Sequence, residues 1–333
     1  MKKIIIIFSL IFALIVIVYF IYQFATRQNQ PVYKILSNKG GVQTAVFDND
    51  NNFTYLDKEG ALYKYSYQEN SVKRLGTYIN KSHLSENAKF IREITDENKT
   101  NIYSTQDKKI VKKIDALVFG WQTGSEYLYV KIPDNVRLGN IEVEDFTTAG
   151  NLISSKAESG SEKKLSKIVA TQIYSITNTD FAIMSIDKSI DSSGLPSSLF
   201  KYNLKTNNQA EISNNINIYQ SHSIGSFILF KDSPDDRASV RYIDKNGEVK
   251  NTNLSANINN TATLDEENFL TIIRDKKGKN IIVKYNLQSQ KTKSLFELKE
   301  DIENPTNLFY KNDKIIIANG AGIWLLELGE IIK

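Results

Sequence analysis

The chain has no cysteine among its 333 residues. That absence excludes disulfides, thiol catalysis, thiolate metal centres and a lipidated N-terminal cysteine. It does not fix the compartment, because a chain of this length can build a core without cross-links. Histidine is almost missing as well, with His83 and His222 the only two. A metal centre usually takes three or four ligands, and no carboxylate pattern accompanies this pair, so no metal or other cofactor is expected. Five prolines and sixteen glycines are too few for a collagenous or low-complexity chain. There is no long basic block. Setting aside Lys2, Lys3 and Arg27 leaves 39 basic against 38 acidic residues out of a formal net charge of +4. A nucleic-acid binder should leave a basic footprint, and this chain shows none. Phosphate loops of the Gly-x-x-x-x-Gly-Lys type, dinucleotide fingerprints and Gly-x-Ser-x-Gly elbows are also absent. Counting alone does not exclude a Ser-His-Asp set, and the scattered Asp and Glu mark out no carboxylate pair for glycoside cleavage.

One long hydrophobic run is present, from Ile4 to Tyr22, broken only by Ser9. As a helix its nineteen residues would span roughly 28 Å, close to the hydrocarbon thickness of a bilayer. Tyr19 and Tyr22 sit near one end, where amphipathic rings favour the interface. Lys2 and Lys3 precede the run and only Arg27 follows closely, which favours a cytoplasmic N-terminus. A cleaved signal peptide is the competing reading. Its apolar core is usually about 7–15 residues ending at a small-x-small site, which Gln23-Phe24-Ala25 matches poorly. A buried core helix is a third reading. The division expected from an uncleaved anchor is residues 1–3 inside, 4–24 as anchor, 25–31 as a polar stalk, and 32–333 on the extracytoplasmic side.

The remainder is repetitive. Residues 262–298 hold four β-favouring runs: Ala-Thr-Leu from Ala262, Phe269 to Ile273, Asn280 to Leu287, and Lys293 to Phe296. Polar turns separate them, such as Asp265-Glu266-Glu267-Asn268 and Asp275-Lys276-Lys277-Gly278. This is the pattern of a four-stranded antiparallel meander. In other units a polar turn again precedes an apolar anchor, at Phe53, Phe90, Phe181, Phe227 and Ile315. Third-strand starts fall near residues 61, 101, 140, 198, 238, 279 and 321. A spacing of about 40–45 residues with four strands per unit predicts an all-β fold, a β-propeller of about seven blades, with six and eight also compatible. The stretches Leu84-Ser85-Glu86-Asn87-Ala88-Lys89-Phe90-Ile91 and Thr123-Gly124-Ser125-Glu126-Tyr127-Leu128 resemble the turn-plus-strand element of TolB-like and WD40-like propeller repeats, roughly Ser-Pro-Asp-Gly-Lys and a strand. Pro is missing from the first copy, the Asp-Gly pair from both, and no repeat carries a Trp-Asp dipeptide. The resemblance covers about residues 40–328 and implies a superfamily fold, one that commonly mediates protein contacts. To close the ring, Val32 to Leu36 could complete the last blade, with Glu330-Ile331-Ile332 as the alternative.

Three long polar segments are assigned to the face that carries the second-to-third-strand loops and the links between blades: Pro133–Gly139, Ser154–Lys167 and Lys188–Ser198. Long loops on a rigid scaffold frequently carry function, although tolerated insertions look the same. Asp48-x-Asp50-x-Asn52 with Glu59 loosely imitates a calcium loop, but Phe53 stands where an EF-hand needs Gly and the flanks read as strands. Hairpin turns account for the same residues. His83 and His222 fall in first strands of non-neighbouring units and read as structural. Trp121 and Trp324 lie in predicted strands and read as packing between blades rather than ligand-stacking rings. The functional expectation is a non-catalytic protein-binding or scaffold module of the cell envelope, held in the cytoplasmic membrane by its single N-terminal helix, with an envelope or membrane protein as partner. The alternative is an exported hydrolase or lyase acting on glycans or peptides at the mouth of the central channel.

Overall fold

Short apolar runs bounded by Asp, Asn and Gly fold into strands joined by tight turns. The structure, a computed structural model, describes residues 12, 14–19 and 21, and from 31 to 328 all but 39–40, 49–51, 79–81, 96–98, 117, 122–123, 132–150, 168–171, 176–179, 187–196, 204–205, 207–208, 214–217, 219, 225–226, 234–237 and 245. The first strand is β1 (Val32–Ser37). A first sheet follows from β2 (Val42–Phe47), β3 (Phe53–Asp57), β4 (Ala61–Ser66) and β5 (Ser71–Thr77). A second holds β6 (Ser82–Leu84), β7 (Phe90–Ile94), β8 (Thr100–Ser104) and β9 (Ile110–Ile114). The third holds β10 (Val118–Trp121), β11 (Glu126–Lys131), β12 (Asn151–Lys156) and β13 (Glu162–Lys167). The fourth is β14 (Gln172–Ser175), β15 (Asp180–Ile186), β16 (Ser197–Asn203) and β17 (Gln209–Ser213). The fifth is β18 (Gln220–Ile224), β19 (Phe227–Lys231), β20 (Arg241–Ile243) and β21 (Val249–Asn251). The sixth is β22 (Thr261–Thr263), β23 (Asn268–Arg274), β24 (Asn280–Asn286) and β25 (Thr292–Glu297). The last is β26 (Asn307–Lys311), β27 (Lys314–Ala318) and β28 (Ile323–Glu327), completed by β1 as its fourth strand.

The fold is an all-β propeller of four-stranded antiparallel sheets. First strands meet one another around the axis: β2 touches β6 and β26, and β14 touches β10 and β18. Contacts of β22 with β18 and β26 continue the ring. Between the second and third sheets the link is a hydrogen bond, Trp121 Nε1 donating to the His83 carbonyl at 2.9 Å. The circle closes through β1, which pairs antiparallel with β28 so that Tyr33 faces Leu326 and Ile35 faces Trp324. Closure by Val32 to Leu36 is therefore the observed one, while residues 330–332 lie outside the described residues.

Two expectations need correction in the third sheet. Its third strand was expected near residue 140 and begins at Asn151. The segment Ser154–Lys167 is accordingly no long loop: it is the β12–β13 hairpin, with Leu152, Ile153 and Leu165 buried. Outer strands need only one apolar side chain in several, so their Ser, Lys and Glu content mimics a loop. Pro133–Gly139 and most of Lys188–Ser198 fall outside the described residues, within the β11–β12 and β15–β16 connections. At the N-terminus, residues 12, 14–19 and 21 are helical, and the rest of the Ile4–Tyr22 run lies outside the described residues. Among the described residues no helix is long and apolar enough to cross a membrane.

The described residues form several hydrophobic clusters and not one core. Each hydrophobic cluster is shared by two neighbouring sheets, and successive residues of one strand enter different clusters. In β27, Ile315 and Ile317 pack towards the sixth sheet, with Leu270, Ile272 and Ile282. Ile316 and Ala318 pack the other way, towards Phe53 and Tyr55 of the first sheet. The partition repeats in β19, with Phe227 and Leu229 on one side and Ile228 and Phe230 on the other. Trp324 joins the cluster between the sixth and last sheets, as expected of a packing residue. Alternation with period two therefore places apolar groups on both faces, which explains why these strands read as unbroken apolar runs.

One turn chemistry recurs. Asp57 Oδ1 accepts from the backbone N–H groups of Glu59 at 2.9 Å and Ala61 at 2.8 Å, and Gly60 takes a φ of +82°. Asp244 with Gly247 and Asp275 with Gly278 repeat the arrangement. The Asp side chain takes up backbone donors while Gly supplies the left-handed residue.

The packing carries a direct expectation. Ile316→Ala, at a fully buried position, should cost about 2–5 kcal/mol in urea unfolding followed by tryptophan fluorescence. Ile35→Ser, on the exposed side of β1, should change stability by no more than about 0.5 kcal/mol.

Candidate functional site

Interleaved with apolar residues, the inner strands carry hydroxyl and amide side chains: Thr44, Ser82, Gln220, Ser221, Thr263 and Asn307. His83 on β6 and His222 on β18 stand in different sheets that do not adjoin, so the structure does not bring the two histidines together. Burial pushes the His83 imidazole down to about 4, and the neighbouring Arg92 guanidinium, opposite it in the β6–β7 register, acts in the same direction. His222 is likewise pushed down to about 4 by burial. Both are therefore neutral near pH 7, as packed structural histidines are. Among the described residues no group of three or more His, Asp and Glu is placed to hold a metal ion.

The calcium-like sequence is also taken apart. Asp48 accepts from the Asn52 N–H at 2.8 Å and from Lys64 Nζ at 3.0 Å. Burial alone would raise its carboxyl, but the hydrogen bonds from Lys64 and Asn52 outweigh it and hold the group below the usual range. Glu59 lies beyond the far end of β3, roughly five residues or about 17 Å of extended strand away. Asp50 is outside the described residues. Asp48 thus serves its own hairpin.

A cleft of about 640 Å³ opens between the second and third sheets. It lies among turns that join first to second and third to fourth strands, and one of the three long polar segments, Ser154–Lys167, supplies Lys156, Glu158 and Ser159 to its wall. Asn87, Gly124, Ser125, Glu126, Lys156, Glu158 and Ser159 line it. The β6–β7 turn is built on Ser85, whose hydroxyl accepts from the Phe90 N–H at 3.0 Å while donating to Asn87 Oδ1 at 2.8 Å. Ala88 then adopts φ +58°, at the place where the family-like pattern has Gly.

The two sheets are stitched together here. Gly124 N–H donates to Glu86 Oε2 at 2.7 Å, and Asn87 N–H reaches the Gly124 carbonyl at 3.4 Å. Ser125 donates to Glu158, and Lys156 Nζ pairs with Glu126 at 3.1 Å. Further out, Lys112 crosses from β9 to Glu162 at 2.7 Å and the Gly160 carbonyl at 3.3 Å. That ammonium, with the Tyr129 hydroxyl, holds the Glu162 carboxyl below its ordinary range against the opposing effect of burial. Every carboxylate at the cleft thus already accepts a bond from a hydroxyl, an ammonium or a backbone N–H. The arrangement presents fixed acceptors and the Asn87 amide.

In the sequence Leu84–Ile91 and Thr123–Leu128 are two copies of one repeat pattern, and nothing there shows that Asn87 of the first and Gly124, Ser125 and Glu126 of the second line one cleft. Their being adjacent copies was the available signal. Lys156 and Glu158 fall within Ser154–Lys167, a long polar segment that the sequence assigns to the other face because it reads as a loop and not as a third-to-fourth-strand hairpin.

No family model matches the chain, and no curated protein matches it in sequence. Solved structures do resemble it. An oligogalacturonate lyase in complex with manganese superposes with a TM-score of 0.51 at 10% identity, over 89% of this chain and 91% of that one. An oligogalacturonate lyase from Vibrio parahaemolyticus gives 0.54 at 11% identity over 91% and 98%. The WD40 repeats of RRP9 give 0.56 at 9% identity over 90% and 99%. At such identities the shared property is the propeller fold.

Two outcomes are expected. The unfolded histidines titrate near 6.5 and the folded ones near 4, so acid favours the unfolded chain between those values. Stability should be level above about pH 6.5 and fall by roughly 1–3 kcal/mol per histidine on approaching pH 4, read from urea midpoints, with His222→Gln flattening the fall. Ala88→Gly should raise stability by about 0.5–1 kcal/mol in the same assay by relieving the left-handed residue.

Proposed function

We propose that this chain is a membrane-anchored, extracytoplasmic β-propeller that binds a protein partner of the cell envelope without catalysing a reaction. The observation that carries the binding reading is the cleft between the second and third sheets, whose carboxylates are committed to internal hydrogen bonds while its mouth stays open. Such a surface offers shape and fixed acceptors to a partner's N–H and hydroxyl donors. Anchoring is supported by the apolar run Ile4–Tyr22 with Lys2 and Lys3 before it, and by its described helical residues. Phe12, Leu14, Ile15, Ile17 and Ile21 are each more than half exposed, a hydrophobic surface that water does not favour. The positive residues favour an N-terminus in the cytoplasm and the ring outside.

The test is crosslinking in intact membranes followed by capture of tagged full-length protein, with Ser159→Trp as the cleft-filling variant. Ser159 is exposed, and its hydroxyl bonds only within its own turn, to Ser161, so the replacement should leave the fold intact. A partner protein held by the wild type and reduced about tenfold by Ser159→Trp, at unchanged melting temperature, is expected. Equal recovery by both removes the cleft from the reading, and no recoverable protein partner removes the binding function itself.

A further inference from the structure

The circumference of the ring is made of fourth strands, and its two halves differ. On β5, Lys73 and Arg74 are exposed, on β9 Lys113, and on β13 Lys163 and Lys164. None of these five forms an ion pair with a described residue, whereas Lys34 and Lys112 beside them are matched by Glu327 and Glu162. The opposite half is nearly neutral. There β17 carries Glu211, Lys250 on β21 is held by Asp244 at 2.5 Å and Glu248 at 3.0 Å, and β25 carries a single exposed lysine, Lys293, together with Glu297, which pairs with Lys279.

A second observation coincides with the first. Outside the N-terminal helix, the large hydrophobic residues that are exposed among the described residues are Val32, Ile35, Val72, Ile110 and Val111. All five lie on β1, β5 and β9. Guarding edge strands with lysine explains basic residues around the whole rim but not exposed Val and Ile interleaved with them on one side. The patch is also continuous. Tyr65 of the first sheet lies within electrostatic range of Lys34, a Cβ at Gly76 would meet the Lys108 side chain of the second sheet, and Lys112 bonds across to the third.

Its position decides what it meets. The chain passes from the apolar run into β1 through residues 25–31, which reach at most about 25 Å whatever their path. The strand that receives this link is itself part of the patch. We propose that the rim around β5 and β9, flanked by β1 and β13, faces anionic phospholipid headgroups, so that the disc stands edge-on against the bilayer. Lysines at such a surface sit within a Debye length, about 8–10 Å, of the lipid charge, while neighbouring aliphatic side chains enter the headgroup region. The inference rests on the anchored reading above and adds orientation to it. The cleft between the second and third sheets then opens beside the membrane, where a membrane-bound partner would meet it.

The absence of cysteine gives each introduced thiol a unique label. Full-length protein carrying a fluorophore at Ser71→Cys on β5, or at Asn251→Cys on β21, is placed in lipid nanodiscs containing headgroup spin-labelled lipid. Ser71→Cys should be quenched at least about twofold more with roughly 30 mol% anionic lipid than with zwitterionic lipid alone, and Asn251→Cys should be indifferent. The difference should vanish at about 0.5 M salt and in the Lys73→Gln, Lys113→Gln, Lys163→Gln, Lys164→Gln variant. Equal quenching at both sites, or quenching at Ser71→Cys that ignores lipid charge, overturns the proposal while leaving the anchor standing. A chain that never incorporates into discs of either composition overturns the anchored reading and this one together.

Discussion

Every sheet of this protein depends on strands that are buried on both faces. Ile315 and Ile317 belong to one interface and Ile316 to the next, so neither sheet nor interface is complete without two neighbours. A stack built this way has exposed apolar ends unless it curves into a ring. Closure by β1 against β28 is the consequence, and it ties the start of the described ring to its finish. The hydrogen bonds of that pairing matter less for their own energy than for covering the last open edge.

The same constraint distributes chemistry. Since the faces of the sheets are committed to packing, variation is left to the inner strands, the turns and the rim. Inner strands hold hydroxyls, amides and two neutral histidines. Turns hold most of the carboxylates, many spent on capping their own backbone, as Asp57, Asp244 and Asp275 show. The rim holds lysine. A protein whose formal charge outside the N-terminal segment is close to zero is thus strongly divided in space, which neither composition nor net charge reveals.

The cleft between the second and third sheets follows from the same economy of surfaces. Phe90, Ile102, Tyr127 and Ile153 pack in the interface between these sheets, and the polar turns meet through Glu86, Gly124 and Ser125. The fold likeness to lyases and to WD40 repeats alike shows why chemistry at this place has to be read from its own side chains.

Much of the architecture was written in local pattern. Period-two apolar runs, Asp-x-x-Gly turns and a spacing near forty residues define four-stranded units, and a spare strand at Val32 to Leu36 defines the means of closure, because strand and turn formation depend on near neighbours in the chain. The third sheet was misread where an outer hairpin, polar on its exposed side, has the composition of a loop. The cleft was legible only as two turn motifs: Asn87, Gly124 and Glu158 are distant in sequence and adjacent only once two sheets have packed. The charged arc on the rim was hidden for the same reason, since Lys73, Lys113 and Lys163 stand 40 and 50 residues apart in the chain and become one surface only when the ring turns them to the same side. Sequence alone determined the repeat, the strands and the apolar N-terminal run; tertiary structure decided which of their side chains share a surface, because that is set by how sheets curve around a common axis and not by any interaction within a single unit.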